Sequence, residues 1–358
     1  MYRPIDFVLT AFCALLCLPE IYGLAPGKVF QFGHEISQRS CGSTVSDDTL
    51  SLRGLNLQQC SLFDWPPSSP HAGETLVPQA PDKELLQIMS QIDPNRIRAI
   101  IEKLVSFGTR HTLSSQTDPA RGIGAARDWI AQEMRTFAAA SDGQMTVTVQ
   151  SYIQTPAFGI PNNTRISNIL ATLKGSVDPN RVYVVSGHYD SRVTDIMNGV
   201  DNSPGADDDA SGVAVSMELA RIMATHRPAA TIVLAAVAGE EQGLYGANFM
   251  AQQFQDAGVD IQGMFTNDII GSSTAEDGTV DPNNIRLFAQ GMPTTDTPAQ
   301  EAHRASIGGE NDSAARELGR FAAEVATNDA TEMTGKHLAS ACFISADDGI
   351  SAGGLSRG

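Results

Sequence analysis

The sequence predicts an α/β fold, a β-sheet covered by helices on both faces. Two observations predict it. From about Lys83 onward, short Val/Ile-rich runs alternate with longer amphipathic stretches, as in a chain that lays strands and helices down in turn. Three of the apolar runs also end on histidine or carboxylate residues. In open α/β sheets, the carboxyl ends of strands form the crevice where chemistry gathers.

The elements follow in order. KELLQIMSQIDPNRIRAIIEKLVSFG reads as two short amphipathic helices separated by Pro94, and DPARGIGAARDWIAQEMRTFAAA as a third. Met145–Ile153 and Ile166–Leu173 are strand-like, and Val182–Ser186 is a short apolar run. SGVAVSMELARIMATH is a helix with Val215, Leu219 and Ile222 on one face. Thr231–Ala238 is β-branched, ends at Gly239 and reads as a strand, followed by a helix over Leu244–Ala257. Met264–Asp268 and Ile285–Ala289 are strands, and NDSAARELGRFAAEVA is a helix that Asp312 or Ser313 caps.

Before Lys83 the signals differ. Arg3 precedes the apolar stretch Phe7–Leu18, with small residues at Gly23 and Ala25. Residues 1–23 therefore read as a secretory signal peptide, too short to span a bilayer. Residues 24–82 are rich in Ser, Gly, Pro and Gln and read as a pro-segment or extended arm. Cys13 and Cys17 leave with the signal, Cys41 and Cys60 could pair in an oxidising compartment, and Cys342 is left over. The sequons at Asn162 and Asn311 fit secretion. A catalytic domain over 83–327 and an atypical tail over 328–358 complete the division. The net charge of −17 argues against nucleic acid or an anionic membrane as partner.

The chemistry sits at the strand ends. Val182–Ser186 runs into Gly187-His188-Tyr189-Asp190, Thr231–Ala238 into Glu240-Glu241, and Met264–Asn267 into Asp268. PGADDDASG adds Asp207, Asp208 and Asp209 before the helix that follows His188. Adjacent carboxylates such as Glu240 and Glu241 are costly to bury without a compensating charge. No Lys or Arg lies between Arg227 and Arg286, so the expected compensation is solvent or a cation from outside the chain. Carboxylates with an imidazole suit zinc or manganese, whereas calcium takes oxygen ligands only. Taken singly, each residue has a plainer reading: a structural histidine, a turn aspartate, a helix-capping Asp run, a solvated Glu pair. Their coincidence at several strand ends favours a divalent metal centre. His34, His71, His111, His226 and His303 lack such a context and read as structural or surface residues.

GHYDS, PGADDDASG, GEEQGLYG and FTND, with SFGTRHT and GIGAARDWI before them, resemble peptidase family M28, the zinc exopeptidases that include secreted aminopeptidases. The resemblance covers about Leu85 to Ala326. It implies a mixed β-sheet with helices on both faces, the zinc-dependent exopeptidase, phosphorylase/hydrolase-like fold. It further implies peptide substrates and two zinc ions. His188 and Asp268 would hold one ion, Glu241 the other, and Asp208 would bridge them. Glu240 would be the general base, and Asp190 would orient His188. The family supplies one more histidine ligand near its C-terminus. His337, in GKHLAS, does not match that setting, so the second zinc site is expected to be incomplete. The tail after about Val325 shows no strand-and-loop pattern of the family's kind. The expectation is a secreted zinc aminopeptidase. The alternatives are a catalytically dead binding or regulatory descendant, a calcium-binding module at Asp207–Asp209, or the family's carboxypeptidase and glutaminyl-cyclising branches.

Overall fold

A computed structural model describes residues 81–275, 277–281, 287–293, 295–329 and the backbone of 342–345, with side chains through 326 of the last long segment. The expectations for residues 1–80, including the signal peptide, the Cys41–Cys60 pair, His34 and His71, lie outside the described residues, as does His337.

The chain enters through α1 (Lys83–Met89) and α2 (Pro94–Ser106). Asp82 and Asp93 cap them, and Pro94 stands at the first turn of α2, where its missing N–H costs nothing. Helix α3 (Ile123–Ala138) leads into β1 (Met145–Gln154) and β2 (Thr164–Leu173), which pair antiparallel. Then come β3 (Asp178–His188), α4 (Ala210–Met223), β4 (Ala230–Val237), α5 (Tyr245–Asp256) and β5 (Asp260–Asn267). Strand β6 (Leu287–Ala289), α6 (Pro298–Ile307), α7 (Ala314–Asp329) and β7 (Cys342–Ser345) follow.

The sheet has seven strands among the described residues, in the order β1-β2-β4-β3-β5-β7-β6. Strand β3 is parallel to both β4 and β5; β2 runs antiparallel to β4, and β7 antiparallel to β5. The sheet is therefore mixed, as expected. The chain steps from β3 to one neighbour, β4, and then across to the other, β5. Right-handed crossovers must put the two connecting helices on opposite faces. They do. Val182, Val184, Val233, Ala235 and Val237 cluster with Met250 of α5. On the alternate residues, a Cβ at Gly187 would lie 2.5 Å from the backbone of Gly212 and Val213 in α4. Only glycine lets α4 approach β3 this closely.

Helix α4 is buried on all sides because α2 and α3 pack over it. Its buried Glu218 accepts the Asp93 N–H at 3.1 Å and pairs with Arg221 at 2.6 Å, which ties the start of α2 to the central helix.

Three features correct the sequence reading. The tail expected to lack a strand contributes β7, which borders β5 and β6. Helix α6 was not foreseen, although Thr297 and Gln300 form a capping box at its start. Of the two caps offered for α7, Ser313 serves: its Oγ accepts the Arg316 N–H at 3.2 Å.

Candidate functional site

The switch of direction at β3 sets the site. Strands β4, β3 and β5 lie side by side and parallel, so their carboxyl ends bring Glu240, His188 and Asp268 to one edge. The loop after β3 returns Asp207–Asp209 to that edge at the start of α4.

His188 is the hub. Its Nε2 lies 3.1 Å from Asp208 Oδ1, 3.8 Å from Asp268 Oδ1 and 3.9 Å from Glu240 Oε2. Its Nδ1 bonds the Asp190 backbone carbonyl at 3.2 Å, with Asp190 Oδ1 at 3.5 Å. This fixes the ring and turns Nε2 toward the carboxylates. Burial disfavours the imidazolium, yet the carboxylates of Asp190, Asp208 and Asp268 around the ring outweigh that and hold it well above its usual pKa. A divalent cation would take the place of that proton.

Asp190 is fully buried and collects donors. Its Oδ2 accepts the Thr112 hydroxyl at 3.1 Å and the Glu241 N–H at 3.2 Å, and its Oδ1 accepts the Glu240 N–H at 3.3 Å. Burial pushes its carboxyl up, but the bonds from His188 and the two amides prevail and bring it below the usual range. One carboxylate thus holds the β3 and β4 strand ends together.

The Asp triplet divides its labour. Asp209 is the N-cap of α4: its Oδ1 accepts the Gly212 N–H at 2.8 Å, and its Oδ2 accepts the His188 N–H at 2.9 Å. Asp207 Oδ1 accepts the Gly271 N–H at 2.5 Å, fastening the loop after β5. Asp208, with its side chain 47% exposed, keeps its carboxylate for the centre. Ligand atoms of His188, Asp209 and Asp268 all lie within 4.8 Å of one another. Even so, both Asp209 oxygens already serve backbone amides, so Asp208 is the freer donor.

The site's fit to a divalent cation rests on two observations. Asp268 Oδ1 is buried and has no hydrogen-bond partner. A buried, unpartnered carboxylate oxygen is expensive, and a cation beside His188 Nε2 would satisfy it. The donor set, one imidazole nitrogen among carboxylates, is also of the type that first-row divalent ions take. Burial pushes Glu240 and Glu241 each up to about 7; a cation would favour their charged forms.

The positive charge for Glu241 is partly in the chain after all. Arg192, from the loop after β3, places Nε 2.5 Å from Glu241 Oε2. This corrects the expectation drawn from the empty stretch between Arg227 and Arg286: the compensating arginine precedes it in sequence. Arg110 is a second residue that the sequence reading passed over, although SFGTRHT contains it. It is fully buried and donates to the carbonyls of Tyr189, Leu104, Pro204 and Gly205 at 2.7–3.2 Å. Burial lowers it to about 10, opposed by Asp190, Asp209 and Asp208. It pins the turn that delivers the Asp triplet.

The loops after β4 and β5 each hold an aliphatic residue at positive φ: Leu244 at 61° and Ile269 at 49°. For a β-branched residue this is a strained conformation, and Ile269 directly follows Asp268. Among the other histidines, His111 is buried and accepts the Leu113 N–H while bonding Ile196 O, a structural role as expected.

Residues 168–337 match the family model of Peptidase family M28. The chain is 61% identical over 279 residues to a "Probable zinc metalloprotease" of Pyricularia oryzae, covering 78% of this chain and 56% of that protein. It is 56% identical over 276 residues to another so named from Pyrenophora teres f. teres, covering 76% and 57%. The chain thus spans little more than half the length of these curated relatives. The crystal structure of LapB from Legionella pneumophila aligns at 22% identity and a TM-score of 0.41, over 58% of this chain and 48% of that one, a likeness too loose to add to the topology. The family match takes in the ends of β3, β4 and β5, where His188 and its carboxylates meet: the chain belongs to peptidase family M28.

Proposed function

We propose that this chain is a secreted zinc exopeptidase that removes N-terminal residues from peptides. One observation carries the reading: three parallel strand ends and the Asp loop converge on His188 Nε2, with Asp208, Glu240 and Asp268 within 4 Å. His188, Asp208 and Asp268 would hold one zinc, and Asp208 and Glu241 a second. When bound, zinc supplies Lewis acidity for a scissile carbonyl and lowers the pKa of water to about 7.

The chain's own residues do the rest. Glu240 takes the proton from the attacking water and delivers it to the leaving amine. Its backbone N–H is held by Asp190, which keeps the carboxylate beside the hub. Asp190 also fixes the His188 ring. The crowd of carboxylates suits a substrate that presents a protonated α-amine. The leader-like residues 1–23 and the exposed sequon residue Asn162 support secretion. Support for zinc comes from the names of the relatives.

The test uses the full chain, stripped by chelator and reloaded with zinc chloride, on chromogenic aminoacyl anilides with free or acylated amines. Hydrolysis of only the free-amine substrate, restored by zinc, is expected. Glu240→Gln should retain zinc and lose turnover by about 10²–10⁴-fold. A zinc-loaded parent that cleaves neither substrate would overturn the exopeptidase reading in favour of a non-catalytic descendant.

A further inference from the structure

Arg192 is not among the residues that the family resemblance assigns to metal or catalysis, yet it makes a close contact inside the centre. It stands two residues past Asp190, in a stretch anchored on both sides. Asp190 holds the Glu241 N–H. Ser191 Oγ donates to Ser203 O at 2.8 Å and accepts the Arg110 N–H at 3.2 Å. From this base, Arg192 Nε reaches Glu241 Oε2 at 2.5 Å, while its Nη1 lies 3.4–3.5 Å from the carbonyls of Thr194 and Val193. Neighbouring side-chain clamps therefore fix Glu241: Asp190 on its amide and Arg192 on its carboxylate.

We infer that Arg192 is a built-in counter-cation that competes with a metal ion for Glu241. The inference rests on the zinc reading above and adds a residue that sets how strongly the second ion is held. Glu241 is the one carboxylate at the centre that an arginine holds among the described residues, and its side chain is only 9% exposed. A dication on Glu241 must share that carboxylate with a guanidinium or displace it, and like charges on one carboxylate repel. The His188–Asp268 side has no such competitor among the described residues. Arg192 is 40% exposed, so the guanidinium can move into water when an ion arrives. Arginine suits this role because it stays charged at every working pH. The centre is thereby graded: the ion on His188 is held firmly, and the ion on Glu241 is held against Arg192.

Calorimetric titration of zinc chloride into the chelator-stripped full chain tests this. Arg192→Gln removes the charge and keeps much of the bulk. It should raise the affinity for the second ion about tenfold or more while leaving the first within about twofold. Arg192→Lys keeps the charge and should behave like the parent. The unchanged first-ion affinity reports that the fold is intact. If Arg192→Gln takes up the second ion no better than the parent, or less well, the inference is overturned; a loss would make Arg192 a prop that presents Glu241 to the metal. If the parent takes up no zinc at all, the zinc reading itself falls, a different outcome from a parent whose first site fills normally.

Discussion

Asp190→Asn isolates the carboxylate that joins two strand ends. Oδ1 of Asp190 faces the Glu240 N–H, and Oδ2 faces the Glu241 N–H and the Thr112 hydroxyl. An asparagine has one oxygen for these two sides. With its NH2 on the Thr112 side, the hydroxyl can rotate to accept, but the Glu241 N–H loses its acceptor. With the NH2 on the other side, the Glu240 N–H loses it. Either way, one amide in a part-buried setting is orphaned, which costs about 1–3 kcal/mol. The buried Arg110 also loses a compensating charge. Urea unfolding of metal-free protein should therefore show Asp190→Asn less stable by about 1–3 kcal/mol near neutral pH.

The sign of the pH dependence follows. Asp190 titrates below its usual value in the folded chain. Its contribution is present above the unfolded pKa, near 4, and is lost as pH falls through the lower folded value. The parent and the variant should therefore converge in stability on acidification below about pH 4. His188 keeps its bond to the Asp190 carbonyl, so zinc affinity should fall by the about 10–100-fold typical of a ligand-orienting group. A variant within about 0.5 kcal/mol of the parent, inside ordinary surface-mutation scatter, would refute the argument that this carboxylate holds the centre together.

Other outcomes follow from the same geometry. Glu241→Gln should lower the number of zinc ions retained after gel filtration, whereas Glu240→Gln should not; equal loss in both would mean the two roles are misassigned. Arg110→Met removes donors from four backbone carbonyls, those of Tyr189 and Leu104 in buried bonds, and should destabilise by more than about 2 kcal/mol, seen as a shifted denaturation midpoint. If residues 1–23 are a signal peptide, N-terminal sequencing of secreted protein should begin near Leu24, and an intact Met1 would contradict this.

The sequence alone carried much of this protein. Short apolar runs and helical patterning located β1 to β5 and the helices between them; for β2, β3 and β4 the run is continuous because those strands are buried on both faces. Ligand chemistry at the ends of those runs marked His188, the Glu240–Glu241 pair and Asp268, with the Asp207–Asp209 run beside them, before any contact was known; the choice of Asp208 and Glu240 within those groups rested on the family resemblance. The capping residues of α6 were legible too, though unread. Tertiary structure alone decided the rest. Which aspartate of three caps α4 depends on how closely Gly187 lets that helix approach β3, and this fixes Asp209 rather than Asp208 on the His188 amide. Arg192 and Glu241 are far apart in sequence, so no spacing rule could pair them; the adjacency of β3 and β4 does. Nothing in the sequence marked Arg110 for burial, and only the carbonyls that surround it in the fold offset the cost of burying its charge. Strand ends can be read locally because they follow from side-chain periodicity. The partners of a charge cannot, because they follow from the order of strands in the sheet.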